Sequence, residues 1–149
     1  MSLDHIAIKQ ATTHRWWDMF SGKCDIFISQ YVLKEAEEGD SHMAKLRGES
    51  MASSLILDGF TPEVNHLSKI LLESHVVPDK EITDALHIAT AAVYGIDVLL
   101  TWNCRYMANP ITLPKTSAVI ANAGYICPII ITPADFIERR EELGYGNKL

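Results

Sequence analysis

The sequence predicts an α/β domain in three layers, a central and mostly parallel sheet with helices on both faces. Three observations carry this. Short apolar runs alternate with longer helical stretches, and Gly, Pro or Asp-Gly falls between them. The apolar runs are continuous rather than alternating, which is the pattern of strands covered on both sides. Linkers, repeats and low-complexity tracts are missing from the 149 residues, a length that suits one domain burying roughly two-thirds of its unfolded surface.

Residues 4–20 (DHIAIKQATTHRWWDMF) contain no Gly or Pro and predict a helix that stops at Ser21-Gly22. Asp25 to Ser29 (DIFIS) predicts a strand, after which Ser29 can cap a helix reaching Glu38, stopped by Gly39. Residues 41–53 are again helical in pattern, and Leu55 to Leu57 is a short strand closed by Asp58-Gly59. Thr61 as N-cap and Pro62 at the first helical position open a helix to Ser74, on which Val64, Leu67, Ile70, Leu71 and Leu72 recur at helical spacing. Between Lys80 and Tyr94 lies a helix whose second half is almost wholly apolar, so it is buried on most sides, and Gly95 ends it. Val98 to Thr101 is a strand, 114–123 a helix, Pro128 to Thr132 a strand, and Pro133 to Leu143 the last helix.

Net charge is −6, and the middle third, residues 51–100, is the most acidic part. A protein that holds nucleic acid by bulk positive charge needs clustered Lys and Arg, so that class is disfavoured. Reaching phosphates through bound divalent cations is still open. The three cysteines, at 24, 104 and 127, are odd in number and without CxxC spacing, which predicts free thiols and a cytoplasmic protein. The most apolar stretch, Ile88 to Ile96, is too short to span a membrane, and MSLDHIAIKQ lacks the core of a signal peptide. GxGxxG, GxxxxGK[ST] and GxSxG do not occur, and the histidines have no zinc-site spacing.

In parallel sheets chemistry gathers at the carboxyl ends of the strands. Asp84 opens the apolar helix (ITDALHIATAAVYG). The plain reading is an acid that offsets the helix dipole, with Thr83 or Asp79 as the cap; the sharper one is a ligand for a hard cation, which takes oxygen donors. Glu35 follows the strand DIFIS by six residues. It is either one acid of a solvated helix face or, because it lies three residues after the inward Val32, a carboxylate projecting over the sheet edge. Thr101, Trp102 and Asn103 come directly after VLLT. Thr and Asn there serve as turn formers or as holders of a metal-bound water or phosphate oxygen, with Arg105 near enough to neutralise phosphate. Trp102 reads as packing rather than as a base-stacking platform. His87, three residues from Asp84, reads as a hydrogen-bonding neighbour of that carboxylate.

Taken in order, ISQYVLKEAEEGD, ITDALHIATAAVYGIDVLLTWNCRYMANP and YICPIIITPADFI resemble the PIN domain family, in particular its bacterial members close to VapC-type toxins. The resemblance runs from about residue 10 onward. It implies a ribonuclease in which acids gathered at the sheet edge hold Mg or Mn, with RNA as substrate, an antitoxin protein as partner and self-association into an oligomer. By position Glu35 and Asp84 match the family's two helix acids, and Asn103 falls where members carry Asp or Asn. Thr101, Arg105, His87 and Ser29 would then support the site or contact phosphate. Members begin with a central strand ending in an acid, and nothing before Trp16 reads as that strand. The resemblance therefore implies either a shortened form of a longer gene product or a degenerate PIN-like domain with strand edges left open. The alternative to a nuclease is a PIN-like module that binds a protein or RNA without cutting it.

Overall fold

The computed structural model describes residues 3–29 and 55–145. Among these residues the chain is mixed α/β. It runs α1 (Leu3–Phe20), β1 (Phe27–Ser29), β2 (Leu55–Leu57), α2 (Pro62–Glu73), α3 (Ile82–Val93), β3 (Val98–Leu100), α4 (Leu113–Asn122), β4 (Ile129–Ile131) and α5 (Pro133–Glu138).

Among the described residues both strand pairings are parallel, the arrangement that continuous apolar strands predict. β1 lies on β2 with Ile28 opposite Ile56, and β3 lies on β4 with Leu99 opposite Ile130. Among the described residues these pairs form two separate two-stranded sheets rather than one. Their faces are also less covered than the sequence predicts: Phe27 is 38% exposed, Ile56 57% and Ile129 43%.

The main core lies between α2, α3 and α4. Val64, Leu67 and Leu71, spaced three and four residues apart on α2, meet Ala85, Ile88, Ala89 and Ala92 of α3, and Ile120 of α4 and Ile130 of β4 complete the cluster. Thr61 caps α2 as its sequence position predicts, its side chain accepting from the Val64 amide at 3.2 Å with Pro62 behind it. At the other end of α3, Gly95 takes φ 68°. This lets its amide reach the Ala92 carbonyl at 3.2 Å and the Ile96 amide reach that of Ala91 at 2.9 Å, the paired bonds of a Schellman motif. A second, aromatic core joins α1 to α5. Phe136 packs edge-on against Phe20 at 4.9 Å and Trp16 at 5.6 Å, and Tyr145 closes the cluster 5.1 Å from Phe136.

Three boundaries differ from the sequence reading by two residues or more. α3 starts at Ile82, because the Glu81 amide first closes a turn on the Pro78 carbonyl at 2.8 Å. Glu81 is the N-cap and makes no side-chain cap bond, so neither Thr83 nor Asp79 has that role. β1 begins at Phe27 rather than Asp25, since its partner β2 is only three residues long before the turn in which the Asp58 carboxylate accepts from the Phe60 amide at 2.8 Å. α5 ends at Glu138 rather than Leu143; separate turns follow, the last with the Tyr145 amide on the Arg140 carbonyl at 2.8 Å, and they deliver Tyr145 to the aromatic core. The predicted helix after Ser29 and the one over 41–53 fall outside the described residues. Among the described residues no helix is long and apolar enough to cross a membrane.

Candidate functional site

The site is built where the start of α3 meets the loop after β3. The half-buried Asp84 sits in the first turn of α3, where the helix dipole favours a negative charge. Beyond β3, the Thr101 amide donates to the Ile131 carbonyl at 3.0 Å, which carries the β3–β4 ladder one residue past Leu100. The chain then turns tightly. The Thr101 hydroxyl accepts from the Asn103 amide at 3.0 Å and lies 3.6 Å from the sulfur of the buried Met107.

Asn103 organises the rest. Its Oδ1 accepts from the amides of Arg105, at 3.2 Å, and Tyr106, at 2.9 Å, and its backbone carbonyl accepts from the Ala108 amide at 2.8 Å. Its Nδ2 donates to Asp84 Oδ2 at 2.9 Å, across 19 residues of sequence. The turn-forming reading of Asn103 is therefore visible, and the same side chain also touches the acid. Its carbonyl oxygen already serves two amides, so the geometry gives it the part of orienting Asp84. Direct ligation through Oδ1 would require releasing Arg105 or Tyr106.

The other predicted residues distribute around this pair. The Arg105 side chain is exposed, its guanidinium 5.1 Å from the Tyr106 ring centroid. Trp102 acts as packing: its Nε1 donates to the Thr13 hydroxyl at 2.9 Å and the Lys9 ammonium stands 5.7 Å from its ring centroid, which ties the loop to α1. His87, one turn along α3, lines a cleft of about 700 Å³ together with Ser29, Thr101 and Trp102. Ser29, 6% exposed, ends β1 opposite Leu57. Asp84, Thr101 and Asn103 are thus brought together, with Arg105 hung on Asn103 by its backbone, whereas Glu35 lies outside the described residues.

The groups at this point are the Asp84 carboxylate, the Asn103 amide with its nitrogen turned to that carboxylate, and the Thr101 hydroxyl behind it; a carboxylate is the oxygen donor that Mg²⁺ or Mn²⁺ takes. Among the described residues no group of three or more His, Cys, Asp or Glu side chains is placed to hold a metal ion. Burial pushes the pKa of the Cys127 thiol above its ordinary value.

Sequence reasoning did not single out the cleft's other end. There the Tyr145 hydroxyl is held by a hydrogen bond to Cys24, which, helped by partial burial and the nearby Asp97, pushes its pKa up to about 12. Asp25 and Asp97 also line the cleft. A signal for them exists, since an Asp precedes both DIFIS-type and DVLL-type apolar runs, but it resembles ordinary strand punctuation. Compared with models of known protein families, with curated proteins and with solved structures, the chain matches none.

Proposed function

We propose that the chain is a PIN-like, metal-dependent ribonuclease whose site centres on Asp84, of the toxin type of toxin–antitoxin pairs or a relative of it. The observation that supports this most is the 2.9 Å bond from Asn103 Nδ2 to Asp84 Oδ2. Two residues singled out separately from the sequence, from different elements, meet at the carboxyl end of a parallel strand, where α/β folds place their chemistry.

In this reading Asp84 and Glu35 hold Mg²⁺ or Mn²⁺, which when bound would lower the pKa of a water and neutralise phosphate charge. Asn103 fixes the Asp84 carboxylate, and Thr101 fixes Asn103 through its amide. Arg105, exposed beside them, offers its guanidinium to a phosphate. His87 adds a polar group at the adjoining cleft. RNA is the substrate, and an antitoxin protein and a second copy of the chain are the partners.

One observation favours a second reading, a PIN-like module that binds RNA or a protein without cutting. The group against Asp84 is a neutral amide, which contributes no charge to cation binding where a second carboxylate would. The test is cleavage of single-stranded RNA with Mg²⁺ or Mn²⁺, by the wild-type chain and by Asp84→Asn purified in parallel. Cutting that needs the cation and falls to background in the variant supports the nuclease. Cutting that is equal in both, or absent from both, rejects it.

A further inference from the structure

We propose that the cleft between β1 and β3 is a docking slot for an extended apolar peptide segment that carries Lys or Arg at one end and adds as a strand between the two sheets. Nothing in this depends on the nuclease reading.

The slot has two walls of backbone. Residues 25–29 line one side and 97–101 the other, while β2 contributes only Leu57 and no β4 residue lines it. The cleft therefore lies on the sides of β1 and β3 turned away from their partner strands, and among the described residues each of these strands has one neighbouring strand. Edges of this kind present amide and carbonyl groups in the spacing of a strand, and adding a strand is how peptides satisfy them.

Size and surface fit the same occupant. A strand takes about 4.8 Å across a sheet and about 10 Å through it, so a cleft of about 700 Å³ holds roughly 15 Å of strand, four to five residues. The buried Ala91 and Trp16 line the cleft between its walls, and Phe27 on the β1 wall is 38% exposed. An occupant with apolar side chains would cover surface that is now open to water.

Charge sets the ends. Cys24 and Ile26 pack in one cluster with Val98 and Tyr145, so the first residues of both walls stand at one end of the slot. Asp25 and Asp97 line that end, and Lys23, which lines it too, leaves it net negative. Among the described residues the far end is lined by Ser29, Thr101 and Trp102 and by no carboxylate. A basic residue belongs beside the aspartates.

The test is fluorescence anisotropy with a labelled peptide in which a lysine pair is followed by about five alternating Val and Ile residues. Controls are the same peptide N-methylated at alternate backbone amides and one with glutamates for the lysines. The parent peptide should bind saturably and slow amide exchange at residues 27–28 and 98–100. N-methylation should weaken binding at least about tenfold by removing ladder donors. The glutamate peptide, and the parent peptide tested on the Asp25→Asn/Asp97→Asn double variant, should bind several-fold more weakly. Absence of saturable binding, equal affinity for the N-methylated peptide, or occupation by a single-stranded RNA oligonucleotide in place of the peptide would overturn the proposal.

Discussion

The Asn103 side chain spans the gap between the β3 loop and α3, donating from Nδ2 to Asp84 Oδ2 at 2.9 Å while its Oδ1 accepts from two amides of its own loop. One residue thus sets the shape of the loop and the direction of the carboxylate. Asn103→Ala removes both functions and leaves loop amides without their acceptor. It should lower stability by about 2 kcal/mol, read from urea unfolding. Asn103→Asp keeps the acceptor and sets a second carboxylate against Asp84. Its melting temperature should fall in a chelator and recover with Mn²⁺, whereas the wild-type chain should respond less.

Phe136 is the centre of the aromatic core, 2% exposed and in ring contact with Trp16, Phe20 and Tyr145. Phe136→Ala should cost about 3–5 kcal/mol. Since Trp16 meets that ring edge-on, the native tryptophan emission should shift as well, and an unchanged spectrum would mean the contact is not made in solution.

Among the described residues α2, α3 and α4 are each followed by a left-handed residue, His75, Gly95 and Gly124, and the first two predict opposite substitutions. Gly95 after α3 has φ 68° with nothing within 4 Å of where a Cβ would stand, so Gly95→Ala should lose about 1 kcal/mol through backbone strain alone. His75 after α2 holds φ 60° with a full side chain. His75→Gly retains its amide bond to the Leu72 carbonyl and should gain up to about 1 kcal/mol. Thermal unfolding of the pair measures both.

Tyr145 predicts a pH dependence. Its hydrogen bond to Cys24 favours the protonated phenol and raises the folded pKa to about 12 from an ordinary 10. The stabilisation is therefore complete below about pH 10 and is lost as pH rises toward about 12. Tyr145→Phe should abolish that part of the alkaline fall in stability, and Cys24→Ala should move the tyrosinate absorbance change to lower pH.

How much was legible in the sequence follows from how local each signal is. Thr61 and Pro62 announce the start of α2 because capping is decided within four residues, and the spacing of Val64, Leu67 and Leu71 states which face is buried. The parallel pairing followed from runs such as VLLT and PIIIT. Ends set by distant packing were not legible: α5 stops early because Tyr145 must reach Phe20 and Phe136. At the site, Asp84 and Asn103 stood out as residue types at informative positions. Their bond crosses 19 residues, however, and could not be read from either segment. The acidic end of the cleft was missed because Asp before a strand is commonplace.

The proposed role of Asp84 as the anchor of a divalent-cation site is measured by Mn²⁺ binding followed by electron paramagnetic resonance. Free aqueous Mn²⁺ gives the signal, which falls as the ion binds. The wild-type chain should take up Mn²⁺ saturably, Asn103→Ala should bind roughly ten- to a hundredfold more weakly, and Asp84→Asn should lose the site with its circular dichroism unchanged. Equal uptake by the wild-type chain and Asp84→Asn, or no uptake by the wild-type chain, would contradict the account.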